Sequence, residues 1–447
     1  MTTDRWGNPL SATDAAGIGG LERAILKFHA YEADPIAALD AVIAEHPDMV
    51  MAHAARAGII ATAADQAFDA ELQASLGAAR ALAPRGNARE RAYVAATQLW
   101  AEGDFAGATE AWGRIAIDHP RDLLAVQLAQ LGDFYLGQSL MLRDRITRVL
   151  PAWDRQVPGY GFLLGMHAFG LEECGEYAKA EAAGREGVAI NPRDGWAVHA
   201  VAHVMEMTGR TADGAAWLEQ TSPGWAPDNL LAFHNWWHLA LFRIEQGDIA
   251  GALALFDERI SAGGFGQALE MVDGSALLWR LMALGHDVGP RWSLLAKGWG
   301  ARIAHGHYAF NDLHAMMTFV GLGDRDSQRA LLGTLERAAA GGGTNAMMTR
   351  DVGLPACRGF EAFGRGDCAA AIAHLLPLRA VAQRFGGSHA QRDVLSWTLV
   401  EAALRAGDAH MADALIAERL VAKPESALNQ AWAARRRRLP EKAAAAA

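Results

Sequence analysis

The stretch GFLLGMHAFGLEECGEYAKAEAAGREGVAINP, from Gly161 to Pro192, decides the fold class. An apolar helical segment runs through Cys174, and Gly175 follows it directly. A second, alanine-rich segment runs from Ala178 to Ile190, before Asn191-Pro192. Glycine readily adopts the left-handed conformation that ends a helix in a tight turn, and a proline beyond the second helix cannot continue it. The stretch therefore predicts two helices joined as a hairpin.

The same glycine punctuation recurs along the chain. It occurs at Gly103, Gly137, Gly175, Gly209, Gly247, Gly285, Gly323, Gly366 and Gly407. Successive glycines are separated by 34, 38, 34, 38, 38, 38, 43 and 41 residues. These intervals lie close to the 34-residue period of tetratricopeptide repeats, in which each repeat is one helical hairpin. We therefore predict an all-α solenoid of tetratricopeptide-like hairpins, a right-handed superhelix with a concave central pocket.

Repeats stack into one continuous core, so length alone does not divide the 447 residues into separate domains. We expect a single solenoid domain over 1–440, followed by a frayed tail over 441–447. Within it we expect irregular N-terminal helices over 1–90, core repeats carrying a polar pocket over 91–330, and C-terminal repeats over 331–440.

Helical patterns extend into the N-terminal part, over Pro35 to Glu45 and Met51 to Ala64, whereas strand signals are nearly absent. Segments rich in Gly, Pro or Ser predict loops over Thr221 to Asp228, over Ser261 to Gly266 and around Gly341 to Thr344. Loops inserted in a tight helical array are often functional, so we interpret the first two as rims or lids of a pocket.

Composition and charge favour a folded protein of the cytoplasm. Hydrophobic residues make up 51% of the chain and charged residues 21%, enough to bury a large core. The net charge of -10 argues against nucleic acid as a partner, because phosphate binding needs concentrated Lys and Arg. The basic run from Arg435 to Arg438 is interpreted as a solvated helix end.

Targeting signals and cysteines agree with that location. No apolar run is long enough to span a membrane, and the first residues do not resemble a signal peptide. The three cysteines, Cys174, Cys357 and Cys368, form no CxxC pair, as expected in a reducing compartment. We interpret Cys174 as a buried thiol rather than a nucleophile. The sequence leaves homo-oligomer formation open.

Histidines and acids concentrate on the first helices of the middle hairpins, which line the inner surface of such solenoids. His199, His203 and Glu206 are spaced i, i+4 and i+7 on one helix face, and His234 and His238 form another i, i+4 pair. Adjacent first helices lie roughly 10 Å apart, so their side chains can meet. We therefore expect one pocket surrounded by His167, Glu172, His199, His203, Glu206, His234, His238, Asp273 and His314, and rimmed by Trp196, Trp236 and Trp237.

This chemistry favours an enzyme that binds a small polar or carbonyl-containing molecule in the concave pocket. Histidine carries protons near neutral pH, and a nearby carboxylate orients it, as in a hydrolase, lyase or isomerase. His203 backed by Glu206 is the expected base, and His238 the expected acid. The predicted catalytic residues are His203, Glu206, His238, His199, His234 and Asp273. The predicted substrate-binding residues are His167, Glu172, Trp196, Asn235, Trp236, Trp237, Arg280 and His314.

Three alternatives remain open. Individual histidines could be satisfied core residues, and Arg280 could form a structural ion pair with Asp273. The chain could also be a non-catalytic tetratricopeptide scaffold that binds a peptide or protein partner, a common role of the fold. Finally, although no cofactor is predicted, a metal-dependent enzyme could use His199, His203 and Glu206 as ligands to a divalent ion. The zinc-protease motif is absent, because Ala200 follows His199.

Several longer motifs resemble the tetratricopeptide repeat protein 38 family. They are DGWAVHAVAHVMEM from Asp194 to Met207, HNWWHLALF from His234 to Phe242, DGSALLWRL from Asp273 to Leu281, WGNPLS from Trp6 to Ser11, and NDLHAMM from Asn311 to Met317. The resemblance spans most of the chain and implies a superhelical fold and cytoplasmic residence, without a reaction. The family's motif residues match His199, His203, Glu206, His234, Asn235, His238, Asp273 and His314.

Overall fold

The computed structural model describes residues 2–438 of the chain, so the tail predicted over 441–447 lies outside the described residues. Nearly all regular structure in the described part is α-helical, which confirms the predicted all-α class of tetratricopeptide-like hairpins. A small antiparallel pair near the N-terminus, formed by β1 (Thr2–Thr3) and β2 (Pro9–Leu10), was not expected from the sequence.

The helices follow one another along the chain with short connections. The first twelve are α1 (Ala15–Ala30), α2 (Pro35–Glu45), α3 (Val50–Ala61), α4 (Asp69–Leu82), α5 (Ala88–Ala101), α6 (Phe105–Asp118), α7 (Leu123–Tyr135), α8 (Ser139–Val149), α9 (Tyr160–Glu173), α10 (Tyr177–Ile190), α11 (Gly195–Met207) and α12 (Thr211–Trp225). The next twelve are α13 (Ala232–Glu245), α14 (Ile249–Leu255), α15 (Ala268–Ala283), α16 (Trp292–Gly300), α17 (Ala309–Gly321), α18 (Arg325–Ala339), α19 (Thr344–Met348), α20 (Leu354–Gly364), α21 (Cys368–Leu375), α22 (His389–Ala406), α23 (Ala409–Ala422) and α24 (Ala427–Arg436).

Short 3-10 and π segments extend or connect these helices. The 3-10 segments are Gln66–Phe68, Ala83–Arg85, Leu150–Ala152, Gly289–Arg291, Leu376–Ala380 and Ala382–Phe385. The two π segments are Phe256–Ile260, which continues α14, and Thr349–Gly353, which joins α19 to α20.

All nine predicted turn glycines have positive φ, between 63° and 91°. At Gly175 and Gly247 an added Cβ would meet nothing within 4 Å, so the backbone conformation, and not a lack of space, favours glycine there. In the second of these turns the N–H of Asp248 donates to the carbonyl of Arg243 at 2.8 Å. The carboxylate of Asp248 then caps α14 by accepting from the N–H of Gly251 at 2.9 Å.

The chain forms two compact units. The first contains Met1–Val201 and Thr221–Ala232, and the second contains Ala202–Gln220 and Phe233–Ala447. The boundary falls inside α11. The predicted single solenoid domain over 1–440 stays a prediction.

Each unit has its own buried aromatic core. In the first unit, Trp100 stacks on Phe105 with ring centroids 4.4 Å apart, and Trp112 is completely buried. In the second unit, Trp279 stacks on Phe360 at 4.5 Å. Trp292 and Trp397 are also buried, as expected for tryptophans that fill the space between helices.

One loop prediction was wrong in part. Residues 221–225 of the segment Thr221 to Asp228 continue α12, which contains Pro223 inside the helix. Proline has no N–H to donate to the carbonyl four residues earlier, so Pro223 interrupts the backbone hydrogen bonds of α12 close to its end. The predicted loop from Ser261 to Gly266 is confirmed between the π segment and α15.

We expect Gly175→Ala to lower the free energy of unfolding by about 1–2 kcal/mol, because alanine pays a steric penalty at a left-handed φ of 77°. Gly77→Ala is the matched control, since Gly77 lies exposed inside α4 with open space around it. That change should stabilise the protein by about 1 kcal/mol through helix propensity. Urea denaturation of both variants measures the two opposite shifts, and equal shifts would contradict the assignment of the turn.

Candidate functional site

Three helices supply a group of ionisable side chains within the second unit. The last turns of α11 supply His203 and Glu206, α13 supplies His234 and His238, and α15 supplies Asp273. His234 and His238 are four residues apart and so lie on one face of their helix. We call these five residues the histidine cluster.

The imidazoles of the cluster converge. The ring centroids of His203 and His238 are 4.5 Å apart, and those of His234 and His238 are 4.9 Å apart. One ring nitrogen from each of the three histidines lies within 4.8 Å of the others. This separation lets the three side chains act on one small group or ion.

Each of two histidines is hydrogen bonded to a carboxylate. Nδ1 of His238 lies 3.0 Å from Oε2 of Glu206, and Nδ1 of His234 lies 2.6 Å from Oδ2 of Asp273. An ionised carboxylate only accepts hydrogen bonds, so Nδ1 carries the proton in both pairs. In a neutral imidazole the lone pair then belongs to Nε2. Glu206 was predicted to support His203, whereas its carboxylate binds His238.

Four of the five residues of the histidine cluster are buried, and Glu206 is half-buried. His203, His238 and Asp273 are 0% exposed and His234 is 6% exposed. Burial, followed by the charges of His203 and His234, holds the pKa of His238 well below its ordinary value. Burial also raises the pKa of Asp273, although His234 opposes this change. The indole of Trp237 stacks on His234, with centroids 5.4 Å apart, and closes one side.

Arg280 of α15 lies beside the cluster without a hydrogen bond to Asp273. Its guanidinium is held between the rings of Trp237 and Trp397, at 5.3 and 5.5 Å from their centroids. Its N–H groups donate to the backbone carbonyls of Ala276, Ala390 and Gln391. Burial lowers the pKa of Arg280 to about 10, so it remains charged. Arg280 therefore contacts backbone carbonyls and aromatic faces, in place of the ion pair with Asp273 that the sequence left open.

A small polar cavity adjoins the cluster. It has about 20 Å³ of room for the centre of a water-sized molecule and is lined in part by Glu206, Arg280, Asp393 and Lys423. Nζ of Lys423 lies 4.0 Å from Oε1 of Glu206. This contact was not predicted, because Lys423 lies more than 200 residues after Glu206 in the sequence.

Other predicted pocket residues belong to the first unit: His167, Glu172, Trp196 and His199. The ring of His199 packs on Phe169 and Trp196, with centroids 5.5 and 4.9 Å apart. Nε2 of His167 lies 3.2 Å from Oγ1 of Thr147, and burial lowers the pKa of this histidine. Glu172 is completely buried. The structure therefore places six of the nine predicted polar residues in the second unit, five of them in the histidine cluster.

The remaining predicted residues lie in the second unit outside the cluster. Nδ1 of His314 donates to the carbonyl of Phe310 at 2.8 Å, and the centroids of the His314 and Phe310 rings are 4.6 Å apart. Asn235 is completely buried on α13. Trp236 is half-buried and packs under the guanidinium of Arg259, 5.4 Å from the ring centroid.

The cysteines form no disulfide, and Cys174 is not activated. Its thiol donates to the carbonyl of Ser139 at 3.3 Å, and burial raises its pKa. A raised pKa disfavours the nucleophilic thiolate. No helix among residues 2–438 has the length and apolar character needed to cross a membrane.

No protein-family model matches the chain, so the resemblance to the tetratricopeptide repeat protein 38 family stays a prediction. The chain is similar to two solved structures of IFIT1. One is a monomeric mutant with Gppp-AAAA, at 14% identity over 94% of this chain and 100% of that chain, with a TM-score of 0.38. The other is the human IFIT1 dimer with m7Gppp-AAAA, at 15% identity over 98% of this chain and 97% of that chain, with a TM-score of 0.41.

The predicted exclusion of nucleic acid as a partner does not stand on the charge of the chain, and the two IFIT1 structures, for their part, contain Gppp-AAAA and m7Gppp-AAAA. The exclusion depended on the net charge of -10, which sums over the whole chain. A phosphate-binding surface needs only a local group of basic side chains, so the total charge does not decide this question.

We expect His314 to make folding stability depend on pH. Burial lowers the pKa of His314 to about 3, whereas the unfolded value is 6.5. Below about pH 6.5 the unfolded state therefore binds a proton that the folded state does not, and stability falls as the pH falls toward 3. In the wild type, His314 should lower the free energy of unfolding by about 1.4 kcal/mol for each pH unit between about pH 6 and 4, and His314→Phe should remove this decrease.

The measurement is the difference in unfolding free energy between wild type and His314→Phe at pH 6, 5 and 4. Other groups that titrate in this pH range change the unfolding free energy of both proteins equally, so their effects cancel in the difference. Since Nε2 of His314 has no hydrogen-bond partner among the described residues, phenylalanine should cost little at pH 7. A pH-independent difference would contradict a neutral, buried His314.

Proposed function

We propose that this chain is a metal-binding helical scaffold whose second unit holds one divalent ion of the zinc type. The ligands are His203, His234 and His238. The observation that carries the proposal is the convergence of three buried imidazoles, two of which have a carboxylate on Nδ1.

The spacing of the ring nitrogens supports a single ion. Zinc–nitrogen bonds are about 2.0–2.1 Å long, so two nitrogens on a tetrahedral ion lie about 3.4 Å apart. Ligand nitrogens within 4.8 Å of one another need only small side-chain movements to reach this distance. Three imidazoles leave the fourth position of a tetrahedral ion for water or another ligand.

The carboxylates support the proposal because they fix the proton of each bound histidine on Nδ1 and leave Nε2 to bind the ion. Histidines that bind metals commonly donate their other N–H to a carboxylate, which fixes the ring and increases the basicity of the ligand nitrogen. Glu206 and Asp273 occupy these positions on His238 and His234. Glu206 is thus a positioning residue in this proposal, and the predicted ligand set of His199, His203 and Glu206 is replaced.

Charge balance and burial also favour an ion over acid–base catalysis. A buried ionised carboxylate is costly unless opposite charge compensates it, and a divalent ion would balance Asp273, which is 0% exposed. A substrate needs access to a catalytic base, whereas His203 and His238 are 0% exposed. Complete burial suits a ligand to an ion better than the predicted hydrolase, lyase or isomerase.

We also propose that the chain is a member of the tetratricopeptide repeat protein 38 family. The family's motif residues include all five residues of the histidine cluster. This coincidence supports the proposal that the cluster has the same role in all members of the family, although the family name does not specify a reaction.

The first test is metal stoichiometry. The full chain, stripped with a chelator and reloaded with Zn²⁺ or Co²⁺, should retain about one equivalent of metal after desalting, as tetrahedral sites with three histidines do. The Co²⁺ form should show the visible absorption of a tetrahedral ion. His238→Gln should abolish both signals, because it removes one of three ligands.

His29→Gln is the matched control, since His29 is also a buried helical histidine and is bonded to the carbonyls of Ile25 and Leu123. This variant should bind one equivalent, as the wild type does. Retention of metal by His238→Gln, or the absence of stoichiometric metal in a folded wild-type protein, would refute the proposal.

The second test concerns the carboxylates. Asp273→Asn should weaken Zn²⁺ affinity by about 10- to 100-fold without eliminating it, because the amide no longer imposes the N–H on Nδ1 of His234. Glu206→Gln should act similarly through His238. Competition with a coloured chelator measures the Zn²⁺ affinity.

Asp257→Asn is the control, because this carboxylate of the same unit pairs with Arg291 at the surface. The Zn²⁺ affinity of this variant should match that of the wild type.

A further inference from the structure

A second cavity lies within the first unit and is unrelated to the histidine cluster. It has about 10 Å³ of room for the centre of a water-sized molecule. Its wall contains Asp194, Tyr31, Trp196, Gln127 and Phe134. The enclosed part therefore accepts one group of the size of a water molecule or an ammonium ion.

Asp194 has one oxygen engaged and one without a partner. Oδ1 caps α11 by accepting from the backbone N–H groups of Trp196 and Ala197, at 3.1 and 3.0 Å. Oδ2 is buried and has no hydrogen-bond partner among the described residues. The residue is only 1% exposed, and burial raises the pKa of its carboxyl to about 7. A buried carboxylate oxygen without a partner is costly, so the site favours a hydrogen-bond donor.

Aromatic residues line the same cavity as Asp194. The ring of Tyr31 stacks on Trp196, with centroids 5.8 Å apart and planes inclined by 15°. Phe134 and Phe162 also line the cavity, and all four aromatic residues are half-buried. Aromatic faces attract cations through their quadrupoles.

No positive side chain competes for Asp194 within the cavity. None of the described residues that line it is a lysine or arginine. His29 also lines it, but both of its ring nitrogens lie within 3.0 Å of backbone carbonyls, and burial lowers its pKa to about 4. The cavity thus combines one buried carboxylate, neutral amides and aromatic faces.

We propose that this cavity binds the head group of a protonated primary amine, with the ammonium on Oδ2 of Asp194 and the alkyl chain in the open part of the cavity, against Tyr31, Trp196 or Phe134. The small enclosed volume selects a primary ammonium over a trimethylated one. The three N–H donors of an ammonium match the carboxylate oxygen and the amide oxygens of Gln127 and Gln130. The site is independent of the metal and of its ligands.

The test is ligand-observed saturation-transfer NMR on the full chain. n-Butylamine should bind saturably to wild type, whereas n-butanol, its neutral analogue of similar size, should bind at least tenfold more weakly. Asp194→Asn should also weaken butylamine at least tenfold. Asparagine caps helices as well as aspartate does, so this change removes the charge and keeps the cap. Circular dichroism checks that the variant is folded.

Equal binding of butylamine and butanol to wild type would overturn the proposal, as would the absence of saturable butylamine binding. Unchanged butylamine affinity in Asp194→Asn would also overturn it. The comparison of the two ligands needs only wild-type protein, so it decides the question even if the variant fails to fold. A third ligand, Nα-acetyl-lysine methylamide, distinguishes two sources of the head group. Binding tighter than butylamine indicates a lysine side chain, and weaker binding indicates a free small amine.

Discussion

The left-handed turn between paired helices is the constraint on which the rest of this structure depends. Positive φ at nine glycines ends a helix at intervals of 34 to 43 residues, and helix caps such as that of Asp248 begin the next. Because a turn fixes the end of its helix, it also fixes which residues of that helix share a face. The positions of His203 and Glu206 in the last two turns of α11 follow from Gly209 in this way.

Helix periodicity then converts sequence spacing into chemistry. The i, i+4 spacing of His234 and His238 directs both rings to one side of α13, where Glu206 from α11 and Asp273 from α15 meet them. Polar groups buried to this extent persist only when their hydrogen bonds are made or an ion compensates them. The two carboxylate–histidine pairs supply such hydrogen bonds. The convergence of ring nitrogens from His203, His234 and His238 is the physical reason to propose an ion among the three rings.

Sequence periodicity predicted the helices, the turns and most members of the cluster, because each depends on residues near one another in the chain. Sequence periodicity did not predict which side chains of different helices contact each other. Whether Glu206 binds His203 or His238 depends on the lateral position of α13 relative to α11, and the approach of Lys423 depends on a helix more than 200 residues away. The start of the loop at Thr221 was also wrong, since residues rich in Ser, Pro and Gly extended α12 as its last turn.

Two buried carboxyl groups show why burial alone does not identify a site. Asp273 and Asp194 are both almost fully buried, and burial raises the pKa of each. Asp273 receives one N–H, from the imidazole of His234 on Oδ2, and Asp194 receives two backbone N–H groups of a helix cap on Oδ1. In both residues the second oxygen has no hydrogen-bond partner among the described residues. The two carboxyl groups therefore differ in the kind of donor that they receive, and this difference, not burial, is the reason to propose that one orients an imidazole and the other binds an ammonium.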